Sequence, residues 1–139
     1  MQLMPQTASY MMDGEDMGDL ANPHTNLAIG QNYVRHLLEN NLVENDLFKF
    51  AIAYNAGPGN LAKWQKELGT VQNDPLLFIE SIPMAETRAF VERVMVNYWM
   101  YSLQNDRAVK SLDAIASGHA ETYQTAGQLH EILAMNVTR

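Results

Sequence analysis

The sequence has no cysteine, few basic residues and no long apolar run, and each shortage excludes a class of protein. Without cysteine there are no disulfides, thiolate zinc ligands or cysteine nucleophiles. Nine Lys and Arg residues stand against sixteen Asp and Glu, so the clustered positive charge that neutralises nucleic-acid phosphates is missing. The longest apolar stretches reach about half of the roughly 20 residues that cross a bilayer. We therefore expect neither a nucleic-acid partner nor a membrane span.

The 139 residues have the composition of one ordinary globular domain, with 47% hydrophobic and 18% charged residues. No Gly-rich phosphate loop follows a strand, and no serine lies in a nucleophile elbow. The four histidines are too far apart in sequence for two of them to share a helix face: His24, His36, His119 and His130. His36 and Glu39 could meet one turn apart, but two groups are too few for a metal site and more often form a surface pair. We expect no metal and no cofactor.

The apolar spacing is helical along the chain, which predicts an all-α fold. Asn22, Asp46 and Asp74 have the character of N-caps, and Pro23 and Pro75 follow two of them at the first helical position. The predicted helices cover about residues 5–12, 23–40, 47–56, 59–68, 75–82, 84–104, 111–116 and 126–135.

Two of these helices have a predicted buried side. In the helix over 23–40 it comprises Leu27, Gly30, Val34, Leu37 and Leu38, and in the helix over 84–104 it comprises Phe90, Val91, Val94, Tyr98 and Tyr101.

The segment 51–59 places polar groups at the end of an apolar helix. Gly57 can close a helix with a positive φ, and Pro58 cannot continue one. Tyr54 and Asn55 would then lie rigidly in the last turn with their polar ends outward, as a ligand site requires. The alternative is an ordinary helix end in which the Tyr54 hydroxyl has a backbone partner.

Two glutamates near Pro83 are the remaining candidates for chemistry. Glu86 lies in the first turn of a predicted helix, where the helix dipole alone accounts for an acidic residue. Glu80 could pair with Arg88 or face solvent. The residues themselves favour these structural interpretations.

Four separated motifs nevertheless resemble the catalytic domain of the soluble lytic transglycosylase family, the goose-type-lysozyme-like enzymes that cut peptidoglycan. They occur in the family's order over about residues 1–103, namely at 1–8, at 20–33, at 53–59 with Trp64, and at 78–91 with Asn97, Tyr98 and Tyr101. The resemblance implies an all-α lysozyme-like fold with a partial domain over 1–105 and a helical C-terminal extension over 106–139.

The same resemblance implies cleavage of the β-1,4 bond between N-acetylmuramic acid and N-acetylglucosamine, giving a 1,6-anhydro product. One glutamate performs both proton transfers in this family, and it lies in a Glu-Ser pair upstream of the first motif. Since the chain starts inside that motif, we expect an N-terminally truncated domain that lacks its first helices and its acid and is inactive alone. The periplasm or cell envelope of a bacterium is the expected location, with any signal peptide in the missing part.

The resemblance also assigns site residues. Gln2 and Met4 are implied for the wall of the sugar-binding groove, Tyr54 for a hydroxyl near the reacting sugar, Asn55 for the groove end, and Glu86 for a second polar group in the cleft. Tyr98 and Tyr101 are implied for the opposite wall. Phe90 stands where the family pattern has Tyr, so any hydroxyl there is lost.

Other functions remain open at this point. A non-catalytic peptidoglycan-binding or assembly module would keep the groove without the acid, and a purely helical interaction domain is a third possibility. The expected partners are peptidoglycan glycan strands. Apolar surface uncovered by truncation predicts either a dimer or coverage by the C-terminal tail.

Overall fold

The computed structural model describes residues 5–12, 20–44 and 46–116, and within these ranges the protein is helical with no strand. This confirms the predicted all-α class. Seven α-helices follow one another: α1 (Pro5–Met11), α2 (Pro23–Leu38), α3 (Leu47–Ala56), α4 (Pro58–Leu68), α5 (Pro75–Ser81), α6 (Ala85–Gln104) and α7 (Lys110–Ala116), with a 3₁₀ turn at Gly69–Asn73. The predicted helix at 126–135 lies outside the described residues. None of the described helices is long and apolar enough to span a membrane.

The predicted caps are present where helices begin. The Asn22 side chain accepts a hydrogen bond from the His24 amide at 2.9 Å. Asp46 accepts from the amides of Phe48 and Lys49 at 2.8 and 3.2 Å. Asp74 accepts from the Leu77 amide at 3.1 Å. Each cap satisfies amides that the first helical turn leaves unpaired, which is why these helices start where the sequence predicts.

Helix α3 is the centre of the fold. It packs against α2, α4 and α6, so its apolar residues are buried on several sides. Ile52 is fully buried, as are Leu37 of α2 and Leu61 of α4. A mostly apolar helix of this kind is stable only inside a bundle. It therefore holds its last turn, with Tyr54 and Asn55, in a fixed place.

Two residues predicted on buried sides are exposed instead. Leu27 is 49% exposed and Tyr101 is 66% exposed. The buried line of α6 runs through Thr87, Val91 and Met95, and Tyr101 lies about 100° round the helix from the next buried residue, Ser102. Periodicity predicts the direction of a side chain, and how far the neighbouring helices extend decides whether it is covered.

Candidate functional site

Tyr54 lies in the last turn of α3 among three aromatic rings. Its ring centroid is 5.6 Å from that of Tyr33 and 6.0 Å from that of Phe50. Phe90 of α6 stacks on it at 6.2 Å with an interplanar angle of 7°. Offset stacking of this kind stabilises a pair by about 0.5–1.5 kcal/mol beyond area burial. The phenol of Tyr54 is therefore held in one orientation.

The Tyr54 hydroxyl is half-buried, and burial raises its pKa above the ordinary value because the phenolate would lose hydration. Within the described residues no hydrogen bond to this hydroxyl is found, so the backbone partner considered above is not observed there. The hydroxyl is therefore neutral at ordinary pH and is carried on a ring that its aromatic neighbours hold in place.

Asn55 is joined to α6 by one hydrogen bond. Its Oδ1 accepts from the hydroxyl of Thr87 at 2.8 Å, and Thr87 is fully buried. This bond fixes the start of α6 against the end of α3. Glu86, the residue before Thr87, is exposed in the first turn of α6 and is thereby brought to the same end of the bundle.

Glu80 and Arg88 do not form an ion pair. Arg88 donates from its guanidinium to the carbonyl of Ile82 at 2.5 Å and so closes the turn between α5 and α6. Glu80 is exposed. Of the two roles predicted for Glu80, pairing with Arg88 or facing solvent, the structure shows the second.

Tyr98 lies further along α6. It is half-buried, forms a hydrogen bond with Ser102, and has a pKa raised by burial. Eight residues separate it from Phe90, which is about 12 Å along a helix axis. The structure therefore groups Tyr54, Asn55 and the turn bearing Glu86, while Tyr98 stands apart from them. Gln2 and Met4 lie outside the described residues, so their groove role stays a prediction.

An open cleft of about 430 Å³ adjoins the Tyr54 group. Its described lining comes from α1, from α2 and the loop after it, and from the α3–α4 junction: Gln6, Thr7, Tyr10, Tyr33, His36, Asn40, Gly57 and Pro58. Tyr33 contacts both the cleft and the Tyr54 ring. Two other lining residues, Tyr10 of α1 and His36 of α2, contact each other edge to face, with ring centroids 5.7 Å apart.

No site role was predicted from the sequence for Tyr33, His36 or Asn40. Tyr33 and His36 are three residues apart on α2 and so share one helix face, and this spacing could have revealed them, whereas Asn40 follows the end of the helix. Tyr10 carried no such signal, because only tertiary packing brings α1 beside α2.

Among the described residues that line the cleft there is no Asp, Glu, Lys or Arg, and their polar groups are amides, hydroxyls and an imidazole. Burial raises the pKa of the Tyr33 phenol, and the neighbouring Tyr54 and Tyr10 phenols add to this shift. No cluster of three or more metal-ligating residues exists in the part of the chain that the structure describes. The described lining groups can donate and accept hydrogen bonds.

The sequence of this chain is similar to those of known proteins. A family model described as Transglycosylase SLT domain matches residues 1–76. The chain is 37% identical over 102 residues to the Soluble lytic murein transglycosylase of Salmonella typhimurium, covering 68% of this chain and 15% of that protein. The protein of the same name from Escherichia coli (strain K12) is 36% identical over the same length. A Putative soluble lytic murein transglycosylase of Haemophilus influenzae is 33% identical over 112 residues.

The match covers only part of those relatives. The chain spans about 15% of the length of the Salmonella and Escherichia proteins and 18% of the Haemophilus protein. No solved structure matches the chain. The residues matched by the family model make up more than half of this chain. They include the segment that holds Tyr54 and Asn55 and all the described residues that line the cleft. The chain belongs to the transglycosylase SLT domain family.

Proposed function

We propose that this chain binds peptidoglycan glycan strands as part of a lytic transglycosylase of the bacterial cell envelope, with the periplasm as its place of action. The observation that carries the proposal is the fixed Tyr54 hydroxyl, held by three aromatic rings beside Asn55. A binding site for a defined substrate requires that the polar groups in contact with that substrate be held rigidly.

The proposed reaction cleaves the β-1,4 bond between N-acetylmuramic acid and N-acetylglucosamine and yields 1,6-anhydro-N-acetylmuramic acid. Tyr54 would donate to the reacting sugar, Asn55 would close the groove end, and Glu86 would add a polar contact. Gln2 and Met4 would form one wall and Tyr98 the other. The relatives named above support the substrate, because their names specify murein.

A general acid in such a reaction must be partly desolvated to keep its proton near neutral pH. Every glutamate among the described residues is exposed: Glu39, Glu44, Glu67, Glu80, Glu86 and Glu92. This observation favours the second candidate function, in which the chain binds glycan without supplying the acid, as a peptidoglycan-binding or assembly module of the same fold.

The test uses purified murein sacculi and the whole chain. We expect the chain to sediment with sacculi, and Tyr54→Phe to weaken binding by about 3- to 10-fold, which corresponds to one lost hydrogen bond. Thr70→Val, which removes an exposed hydroxyl from the 3₁₀ turn, is the control and should bind normally. Absence of binding by the unsubstituted chain would overturn the proposed function.

Mass spectrometry of the incubated sacculi separates the two candidates. Release of 1,6-anhydromuropeptides by the chain alone would establish the lytic reaction and exclude the binding-only module. Binding without any released product would support the module. Light scattering on the purified chain without sacculi tests the separate prediction that two copies associate.

A further inference from the structure

The outer face of α6 carries an apolar stripe that the described residues leave more than half exposed. The stripe consists of Val96, Met100 and Leu103, which are separated by intervals of four and three residues and so lie in one line on the helix surface. The inner face of the same half of α6 is also apolar, since Met95 is buried there. A helix that is apolar on all sides is normally buried on all sides, so we expect the stripe to have a partner.

Helix α7 lies next to this stripe. Trp99 is three residues from Val96 and four from Leu103, so it neighbours both on the surface of α6. Its indole donates a hydrogen bond to the Ser111 hydroxyl of α7 at 3.0 Å. Helix α7 ends at Ala116, five residues or about 8 Å along the helix axis from Ser111. Residues 117–139 therefore follow from a point close to the stripe.

The chain after α7 contains a segment with a matching apolar pattern. In residues 126–135, which lie outside the described residues, Leu129, Ile132 and Leu133 recur at helical spacing. Ten residues in a helix extend about 15 Å, whereas the stripe from Val96 to Leu103 extends about 10 Å. The nine residues at 117–125 can span up to about 30 Å. The segment is therefore long enough to cover the stripe and can reach it.

A segment of the same chain has an advantage over a second copy as the partner. A short flexible linker gives a tethered segment an effective concentration in the millimolar range, about a thousandfold above that of a second copy in a micromolar solution. At equal contact strength, the tethered segment therefore occupies the stripe first. The stripe also adjoins the α6–α7 contact, so a segment that follows α7 would extend an interface already present.

We propose that residues 126–135 pack against the stripe of Val96, Met100 and Leu103 within the same molecule. The C-terminal extension then covers apolar surface of α6 that would otherwise promote association. The stripe lies apart from the candidate site, because Phe90, the α6 residue that stacks on Tyr54, points about 120° round the helix from Val96. The inference therefore does not depend on the proposed glycan-binding function.

The absence of cysteine from the chain allows a single introduced thiol to report on the stripe. Met100→Cys in the whole chain is treated with a maleimide, and its reaction rate is compared with the rate of the same variant unfolded in urea. We expect packing to slow the reaction by about 10-fold, as for a covered state that is populated about nine-tenths of the time. Adding Ile132→Asp should restore the fast rate, because a carboxylate in the contact would lose its hydration.

Tyr101→Cys is the matched control. Tyr101 follows Met100 in sequence and is also exposed, but it points about 100° further round the helix, away from the stripe. Its thiol should react fast with or without Ile132→Asp. Far-UV circular dichroism verifies that each variant remains folded.

The outcomes distinguish the possible partners of the stripe. Protection of Met100→Cys that Ile132→Asp relieves, and that does not change with protein concentration, would support the packing of 126–135 on α6. Equally fast reaction of Met100→Cys and Tyr101→Cys would overturn the proposal, since the stripe is then uncovered. Protection that Ile132→Asp leaves intact would overturn it as well. Protection that weakens on dilution would assign a second copy to the stripe and contradict packing within one molecule.

Discussion

A single hydrogen bond between Thr87 and Asn55 fixes the position of the candidate site. The Thr87 hydroxyl is fully buried and donates to Asn55 Oδ1 at 2.8 Å, across the contact between α3 and α6. The Asn55 side chain is only partly buried, so its orientation depends on this bond. The geometry at the end of α3 therefore depends on a residue outside the segment that carries Tyr54.

Replacing Thr87 by Val keeps the shape of the side chain and removes its hydroxyl. We expect unfolding in urea to show a loss of about 1–3 kcal/mol, because Asn55 Oδ1 is left without its partner and an apolar γ-methyl faces it. Thr70→Val removes a hydroxyl from an exposed position and should change stability by less than about 0.5 kcal/mol. Equal stabilities of the two variants would mean that water replaces the bond at no cost.

Gly57 is the second residue on which the site depends. Its φ of 86° and ψ of 151° belong to a region that only glycine occupies readily. No atom would lie within 4 Å of an added Cβ, so the cost of substitution is backbone strain alone. The chain can thus end α3 at Ala56 and begin α4 at Pro58 with one residue between them.

Gly57→Ala should lower the free energy of unfolding by about 1–3 kcal/mol. Gly59→Ala is the matched control, since Gly59 lies inside α4 with open space around it, and there alanine should stabilise by up to about 1 kcal/mol. Thermal unfolding of both variants gives the comparison. A Gly57→Ala variant as stable as the parent protein would show that the junction relaxes to a negative φ.

Asp46 caps the start of α3, and burying its carboxylate costs free energy because the charge loses hydration. Its carboxylate accepts the amides of Phe48 and Lys49, yet burial raises its pKa above the ordinary 3.8, against the smaller lowering effects of those amides and of the Lys49 charge. A raised folded-state pKa means that the folded protein binds this proton more tightly than the unfolded chain does. Proton binding by Asp46 therefore adds to the stability of the folded protein below the unfolded pKa, and this contribution is lost as the pH rises through the folded pKa.

Asp46→Asn and Asp46→Ala separate the cap from the charge. Asparagine caps as well as aspartate, so at pH 7 we expect Asp46→Asn to be at least as stable as the parent, with the difference shrinking as the pH falls toward about 3.5. Asp46→Ala should cost about 1 kcal/mol at pH 7 through loss of the cap. Urea unfolding across this pH range measures both effects. A stability difference between Asp46→Asn and the parent that grows as the pH falls would contradict the raised pKa.

How much the sequence predicts differs between the elements and the site they form. Helix starts are local, since Asn22, Asp46 and Asp74 cap the amides that follow them, and these were predicted. The position of Tyr54 and Asn55 at the end of α3 was predicted from another local signal, since Gly57 and Pro58 end that helix.

Contacts between different helices could not be predicted from local sequence patterns. The bond from Thr87 to Asn55 joins residues 32 apart, and the meeting of Tyr10 with His36 depends on how α1 lies on α2. Tyr101 was misplaced because the buried side of a long helix changes where its neighbours end. Propensity and spacing therefore identified the Tyr54 segment, and only packing revealed the cleft beside it.

The contacts of α7 bear on where the cooperative folding unit ends. The family resemblance divides the chain near residue 105, and that division stays a prediction. Helix α7 nevertheless packs on the rest: Trp99 of α6 donates to the Ser111 hydroxyl at 3.0 Å, and Ile115 contacts the main core cluster. Ser111 and Ala114 are buried. These contacts indicate that α7 unfolds together with α1–α6.

Fluorescence can test this because the chain has two tryptophans. Trp64 is buried in the core and Trp99 lies against α7, so Trp64→Phe leaves a single reporter at the junction of α6 and α7. The substitution lowers stability by removing core volume, but fluorescence and far-UV circular dichroism are compared within the same variant. We expect their urea transitions to coincide, as in a two-state domain. A Trp99 transition at distinctly lower urea, with most of the helical signal retained, would mean that α7 detaches first and that the cooperative domain ends near residue 105.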